Sequence, residues 1–284
     1  MAAARDVLAR LDNLPRARDA AHAAAQLLMR AAATNIPFRE DYSHTGLTWL
    51  PPNRQFVTGP MGDKNVRVAL ALSPLSLIVS LGQGLQVTNM LAGTTPHAAL
   101  GWLDARLAAN GLTPASHAEG SSDLPEGVAG LTTFERDLDM ASFAAWYDLA
   151  SGALSTLAKA QSALRPGPSP VRTWPHHFDI ATYVALADGD AEDAPGIGVG
   201  MAPGDAAYPD PYFYVNPWPM PAPDALPQAP SPGHWHVEGF VGAVATAPEL
   251  LGLADISGGT DAFLDAAFSA GIRLLGHPAA GAER

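Results

Sequence analysis

The chain has 284 residues, of which 48% are hydrophobic and 15% are charged. This composition is typical of a folded globular protein and excludes a wholly disordered chain. Acidic residues outnumber basic residues by 28 to 16, which leaves a formal net charge of -12. Proteins that bind nucleic acid need a basic surface to displace counterions from phosphate, and no cluster of Lys and Arg supplies one here. We therefore expect no nucleic-acid partner.

The absence of Cys excludes disulfides, thiolate nucleophiles and zinc sites built from cysteine. Residues 1–13 include two Arg and two Asp and lack the apolar core of a secretory signal. The longest apolar stretch, 68–85, is interrupted by Pro74 and by glycines, so we predict no membrane-spanning segment. We expect a cytoplasmic protein without a membrane partner.

The first 111 residues change from an Ala-rich to an alternating pattern. The stretch 20–33, which follows Pro15, predicts a helix. Apolar residues then recur with period two, which predicts an antiparallel meander. The predicted strands cover 45–50, 66–72, 75–81 and 85–91, with a turn at Gly82-Gln83-Gly84. Thr95 and Pro96 begin a second helix, which ends at Gly111.

The second half repeats this order. Residues 112–133, rich in Gly, Ser, Pro and acidic residues, predict a surface linker. The next helix, 139–164, carries one broad apolar face. This face contains Phe143, Trp146, Tyr147, Ala150, Leu154, Leu157 and Leu164. Strands are predicted in 171–186, 197–201, 212–216 and 234–245, separated by an acidic loop at 188–195 and a Pro-rich loop at 217–232. A last helix covers 261–275.

These elements predict an α+β fold. It consists of two helix–antiparallel meander–helix halves, 1–111 and 134–284, joined by the linker 112–133. The equal order of elements in the two halves suggests an internal duplication, although no repeat is visible residue by residue.

Several short blocks occur in a characteristic order. Ser-Pro-Val at 169–171 precedes Phe-Asp-Ile-Ala at 178–181, and Pro-Asp-Pro-Tyr-Phe-Tyr at 209–214 precedes Trp-Pro-Met-Pro at 218–221. This series resembles an uncharacterised bacterial family known only as a domain of unknown function (DUF5996-like), and residues 44–91 resemble it more loosely. The resemblance implies an α+β protein with two related meanders. It implies no activity and no site residues.

Two short segments contain four of the nine histidines. The first is Trp-Pro-His-His-Phe-Asp at 174–179 and the second is His-Trp-His-Val-Glu at 234–238. On a strand alternate residues share a face, which would align His177 with Asp179 in the first segment. We predict that the two segments lie on neighbouring strands or one strand apart, because both belong to one meander.

Two imidazoles on one strand face can bind one metal ion, as His234 and His236 would. Together with a carboxylate they form a ligand set suited to iron, manganese or zinc. The candidate metal ligands are His176, His177, His234 and His236. The candidate catalytic residues are Asp179 and Glu238, and the candidate ligand-binding residues are Trp174, Tyr212, Tyr214 and Trp235.

Structural roles are an alternative for each of these residues. Histidines flanked by aromatic residues often pack at the edge of a core with their nitrogens hydrogen-bonded. Asp179 could fix a turn or pair with Arg172. The Pro- and aromatic-rich stretch 208–221 could line a ligand pocket or a peptide groove, or could form a rigid edge strand.

Other catalytic patterns are missing. The chain has no Gly-x-Ser-x-Gly motif, and Gly198-Val199-Gly200 lacks the third glycine of a phosphate-binding loop. Two interpretations follow. The first is a small-ligand binding protein with a His/carboxylate metal site, which could be an acid/base or metal-dependent enzyme. The alternative is a non-catalytic scaffold or protein-interaction module that uses the Pro/aromatic strand.

Overall fold

A computed structural model describes residues 2–81, 84–187 and 194–277. In these ranges the helices are α1 (Ala2–Leu8), α2 (Leu14–Asn35), α3 (Pro96–Ala108), α4 (Glu126–Ala129), α5 (Met140–Ala160), α6 (Ala247–Leu251) and α7 (Ile256–Leu274). The strands are β1 (Thr48–Leu50), β2 (Gln55–Val57), β3 (Arg67–Leu72), β4 (Leu75–Ser80), β5 (Gln86–Met90), β6 (Gly167–Pro168), β7 (Arg172–Trp174), β8 (Asp179–Ala185), β9 (Gly196–Ala202), β10 (Tyr212–Trp218), β11 (His234–His236) and β12 (Gly242–Thr246).

The chain forms two compact units. The five-strand unit contains Arg10–Ala145 and Arg172–Phe178, and the seven-strand unit contains Met1–Ala9, Trp146–Val171 and Asp179–Arg284. The boundaries of these units therefore differ from those of the two predicted halves, 1–111 and 134–284. The predicted α+β class is confirmed, whereas the internal duplication stays a prediction. Among the described helices, none is long and apolar enough to cross a membrane.

The five-strand unit is built on an antiparallel sheet in which β1 to β5 follow one another in order. The predicted meander of β3, β4 and β5 is confirmed. Strand β2 is an addition to the prediction, because three residues are too few to show a period. Part of the predicted turn, Gly82-Gln83, lies outside the described residues, and Gly84 has the positive φ of 81° that favours glycine.

Helix α2 packs against β3 of the five-strand unit. Its small residues, Ala17, Ala20, Ala21, Ala24 and Ala25, are almost completely buried and let the helix approach the sheet closely. The predicted linker 112–133 has structure of its own. It contains α4 and a single turn at Ala115–His117, and both contact α2. Hydrogen bonds between Asn35 and both backbone groups of Thr113 tie its beginning to this helix.

The seven-strand unit is named after a seven-stranded antiparallel sheet and contains six of its strands, in the order β11-β12-β10-β9-β8-β6. The seventh strand, β7, belongs to the five-strand unit. Strand β10 is therefore an inner strand, and the interpretation of the stretch 208–221 as an edge strand was wrong. The long strand predicted at 234–245 is divided into β11 and β12, because the chain bends between them at Gly239, where φ is 85°. Most of the predicted acidic loop, 188–193, lies outside the described residues.

Alternating glycines shape one face of this sheet. Strand β9 has Gly196, Gly198 and Gly200 on the face opposite α7, and side chains from the neighbouring strands lie over them. Tyr214 covers Gly200 so closely that a Cβ there would overlap its ring. The period-two glycine pattern thus makes room for bulky residues of β8 and β10.

The predicted burial of the long helix is confirmed, although α5 ends at Ala160 and Leu164 lies beyond it. The face residues within the helix are 5% exposed or less. Trp146 is fully buried, and its indole N–H donates a hydrogen bond of 3.2 Å to the Leu8 carbonyl.

Replacing Trp146 by Ala should lower the free energy of unfolding by about 3–5 kcal/mol, because it leaves a large cavity and an unpaired carbonyl. Urea unfolding followed by circular dichroism measures this loss. The matched control is Trp218→Ala. Because Trp218 is 38% exposed, this variant should lose much less free energy of unfolding. Equal losses for the two variants would contradict the assigned packing.

Replacing Gly200 by Ala should destabilise the protein by about 1–3 kcal/mol, since the added methyl group has no space beside Tyr214. The control is Gly152→Ala on α5, where nothing lies within 4 Å of the new Cβ. The free energy of unfolding of that variant should increase by up to about 1 kcal/mol, because Ala has a better helix propensity than Gly. An unchanged midpoint of urea unfolding for Gly200→Ala would rule out the close contact.

Candidate functional site

The segment 174–179 forms a turn and not the predicted strand. Residues 175–178 connect β7 to β8, and the Phe178 amide closes the turn with a hydrogen bond of 2.6 Å to the Trp174 carbonyl. His177 and Asp179 therefore do not alternate on one strand face. The prediction failed because Pro175 and the positive φ of 61° at Phe178 interrupt the extended backbone.

Helix α2 holds this turn in place. His22 and Gln26 are four residues apart, so both side chains lie on one side of the helix. The His22 Nε2 atom lies 2.7 Å from the Pro175 carbonyl oxygen, and the Gln26 amide donates to the same oxygen at 2.5 Å. Both side chains are buried. Two donors thus fix one carbonyl, which leaves the following His176 and His177 at the surface.

The buried ring of Phe178 completes this anchor. It stacks on His22 with ring centroids 4.9 Å apart, and it also contacts Phe56 and Phe143. A non-glycine residue with positive φ costs about 1–3 kcal/mol and persists only where its surroundings determine it. The aromatic packing of Phe178 supplies that support.

Burial lowers the pKa of His22 to about 4, and the opposing effects of the Pro175 hydrogen bond and of Asp19 do not compensate for it. The ring is therefore neutral near pH 7. Its Nε2 carries the proton that is donated to Pro175, since a carbonyl can only accept. The anchor is in place at neutral pH without a charged group.

A cleft of about 690 Å³ opens beside the turn within the five-strand unit. We call it the aromatic cleft. Its walls come from α2, from the loop 38–45, from the segment 119–123 and from the turn. Its aromatic lining consists of Phe38, Tyr42, His44, Trp174, His176 and His177. The volume is in the range of pockets that bind small organic molecules.

The loop 38–45 is held in shape by local hydrogen bonds. The Asp41 carboxylate accepts a bond of 3.0 Å from the Ser43 amide, and the Tyr42 carbonyl accepts from the amide and the hydroxyl of Thr45. His44 is buried and accepts from the Arg39 amide through Nδ1. Tyr42 itself has a φ of 54°, a strained value for this residue type. Strained backbone thus occurs at two points beside the same cleft, Tyr42 and Phe178.

Two large side chains of the cleft are open to solvent. Phe38 is 68% exposed and Tyr42 is 62% exposed. Their rings stand almost perpendicular to each other, with centroids 5.8 Å apart, and the Phe38 ring also meets His44 edge-on at 5.2 Å. These rings form an aromatic corner whose outer surface no described residue covers.

The charged groups of the cleft are mostly acidic. Asp41, Glu119 and Asp123 line it, and none of the described lining residues is Lys or Arg. Burial raises the pKa of Asp41, but hydrogen bonds from Ser43 and the charges of Arg39 and Arg172 lower it by more. Burial of the ring, followed by the neighbouring His177, lowers the pKa of His176. At neutral pH Asp41 is therefore charged and His176 is not.

The remaining predicted site residues lie in the seven-strand unit, where they pair with one another. The first histidine segment ends at the start of β8, and the second begins with β11. Three strands lie between β8 and β11, so the prediction that the two segments lie on neighbouring strands or one strand apart was wrong. Asp179 begins β8 and accepts a hydrogen bond of 2.5 Å from Tyr214. Burial, and then Asp179, raise the pKa of Tyr214, so this phenol keeps its proton.

A second cluster surrounds Tyr208. Its hydroxyl lies 2.9 Å from His234 Nε2 and 2.9 Å from His236 Nδ1, so the two histidines do share a strand face as predicted. His234 Nδ1 faces Glu249 at 3.2 Å, and His236 Nε2 lies 2.5 Å from the Glu238 carbonyl.

Two more of the predicted residues in this unit have hydrogen-bond partners. Tyr212 donates to Asp205 at 2.6 Å, and the Trp235 indole donates to the Pro227 carbonyl at 2.8 Å. Glu238 lies beyond the end of β11, in the bend before Gly239. Satisfied pairs of this kind are typical of polar groups that stabilise a fold.

No group of three or more His, Asp or Glu side chains in the described ranges is arranged to hold a metal ion. Metal binding by His176, His177, His234 and His236 stays a prediction. The structure assigns the predicted Trp174, His176 and His177 to the aromatic cleft. The sequence analysis missed Phe38, Tyr42, Glu119 and Asp123. The aromatic content of the polar stretch 38–45 could have indicated Phe38 and Tyr42, whereas no local pattern indicates Glu119 and Asp123.

The buried His22 predicts a pH dependence of stability. Its pKa is about 4 in the folded chain and about 6.5 in the unfolded chain, so between these values the unfolded chain binds more protons. The free energy of unfolding should therefore fall as the pH drops from about 6.5 to about 4, by up to about 3 kcal/mol from this residue. His22→Gln should flatten the profile, measured by urea unfolding at several pH values. The control is His97→Gln, because His97 is exposed and its replacement should leave the pH dependence of stability unchanged. If the free energy of unfolding fell with pH as steeply in His22→Gln as in His97→Gln, the low pKa assigned to His22 would be wrong.

No protein-family model, curated protein or solved structure matches the chain. The resemblance to the uncharacterised bacterial family therefore stays a prediction. The chemistry of the aromatic cleft has to be inferred from the residues that form it.

Proposed function

We propose that the chain binds a small organic molecule in the aromatic cleft. The observation that carries the proposal is the exposure of Phe38 and Tyr42 at the mouth of a cleft of about 690 Å³. Large apolar side chains that stay in water lose the free energy that burial would provide, about 25 cal/mol per Å². A ligand that covers both rings would recover it.

The construction of the walls also supports binding. The turn is anchored by His22 and Gln26, and the Gln26 side chain accepts a hydrogen bond of 2.9 Å from Ser121 in the opposite wall. One α2 side chain thus connects two walls of the cleft. Walls that are ordered before binding reduce the entropy cost of holding a ligand.

The strained residues point in the same direction. Tyr42 lines the cleft and Phe178 is buried directly after the lining residue His177, and these are two of the four described non-glycine residues with positive φ. Such residues are concentrated at ligand-binding and active sites, because the strain is tolerated where it serves a function. Tyr42 is exposed, so burial of its side chain does not account for this conformation.

The interaction-module alternative has less support. Strand β10 pairs with β9 along its whole length and with β12 through Val215, so residues 212–215 are paired on both sides. Tyr212 and Phe213 are buried. In the stretch 208–221, the exposed large apolar residues are Trp218 and Met220.

A thermal-shift screen with small organic compounds tests the proposal. Compounds that bind the folded chain raise its melting temperature. We expect hits whose effect is lost in Phe38→Ala and in Tyr42→Ala. Without ligand, the melting temperature of Phe38→Ala should stay close to that of the wild type, since substitutions of exposed residues usually change stability by about 0.5 kcal/mol or less.

The matched control is Leu85→Ala, because Leu85 is 62% exposed in the same unit and does not line the cleft. The compounds that raise the melting temperature of the wild type should raise that of Leu85→Ala equally. The proposal is wrong if no compound stabilises the wild type, or if the hits stabilise the two cleft variants as much as they stabilise Leu85→Ala.

A further inference from the structure

We propose that the ligand of the aromatic cleft is a small organic cation, an alkylated amine or a quaternary ammonium compound with an apolar part. This inference rests on the proposed function and adds the chemical class of the ligand. It combines three features of the cleft: the aromatic corner, the carboxylates of Glu119 and Asp123 in the same lining, and the absence of Lys and Arg among the described lining residues.

The aromatic corner matches the surface of such a cation. The face of an aromatic ring is electron-rich and attracts a positive charge within about 6 Å of its centre. Phe38 and Tyr42 present two faces at an interplanar angle of 85°, and Trp174 lines the same cleft. Indole attracts cations more strongly than phenyl or phenol. Alkyl groups on the nitrogen would meanwhile cover the exposed rings, which inorganic cations cannot do.

The carboxylates provide the complementary charge. Asp41 is already compensated by Arg39 and Arg172. Glu119 and Asp123 are exposed, and neither forms an ion pair with another described residue. These two carboxylates are therefore available to a ligand. The net charge of -12 would add long-range attraction for a cation and repulsion for an anion.

An anionic ligand fits the cleft poorly. Carboxylates and phosphates are recognised by guanidinium, ammonium or backbone amide donors, and none of the described lining residues is Lys or Arg. A neutral aromatic compound would cover the rings but would leave Glu119 and Asp123 without a partner. The charge on the ligand is therefore what the experiment has to vary.

Three probes of similar size separate these classes. Benzyltrimethylammonium is the cation, neopentylbenzene is its neutral carbon isostere, and benzenesulfonate is the anion. Binding to the full chain is measured by calorimetry or by the change in Trp fluorescence. We expect the cation to bind about 5- to 30-fold more tightly than the neutral isostere, which corresponds to the cation–π and charge contributions. Benzenesulfonate should bind more weakly than either.

Two variants separate charge from shape. The double variant Glu119→Gln/Asp123→Asn should weaken binding of benzyltrimethylammonium several-fold and leave the neutral isostere unchanged. Asp63→Asn/Asp137→Asn is the control, since it changes the net charge equally at exposed positions that do not line the cleft. Phe38→Leu keeps an apolar side chain but removes the ring face, and it should reduce the preference for the cation.

The results distinguish this inference from the proposed function. If the neutral isostere binds as tightly as the cation and Phe38→Ala weakens both, the cleft binds ligands but the cation inference is overturned. The same holds if none of the probes binds while the thermal-shift screen yields neutral or anionic compounds that depend on Phe38. If the screen yields no compound that depends on the cleft, both proposals fail together.

Discussion

The position of the turn 175–178, and with it one wall of the aromatic cleft, depends on one carbonyl group. Pro175 lies 153 residues from His22 and 149 from Gln26 along the chain, yet its oxygen lies within hydrogen-bonding distance of both side chains. A buried donor without a partner costs about 1–3 kcal/mol, so each of the two side chains favours this one position of the turn. Phe178, stacked on His22, holds the turn from its other end. The place of Trp174, His176 and His177 in the aromatic cleft follows from this contact.

The two units use similar residues in different ways. In the seven-strand unit, three tyrosines are hydrogen-bonded to carboxylates or histidines: Tyr214 to Asp179, Tyr212 to Asp205, and Tyr208 to His234 and His236. The aromatic cleft has the opposite character, because Phe38 and Tyr42 face solvent and Glu119 has no ion-pair partner among the described residues. Satisfied groups account for stability, whereas groups left unsatisfied at a preformed cleft are available to a ligand.

Most of the secondary structure could be predicted because it depends on local patterns. The alternation in 66–72 and 75–81 predicted β3 and β4, and the apolar face of 139–164 predicted the burial of Trp146. The prediction failed where a few residues decide the backbone path. Residues 175–178 were predicted as part of a strand, but the positive φ of Phe178 turns the chain there, and that conformation depends on packing against α2.

The amino-acid sequence by itself determined the class of the fold and the acidic charge, and it singled out Trp174, His176 and His177 as candidates, which line the aromatic cleft. It could not show that Phe38, Tyr42 and Glu119 lie beside them, because these residues are about 50 to 140 positions away in the chain. Their neighbourhood is decided by long-range contacts, such as the backbone pairing of Leu47 with Thr173 and the hydrogen bond from Ser121 to Gln26. Only the tertiary structure brings four separate segments around one cleft, since no local pattern encodes which distant groups share a hydrogen bond.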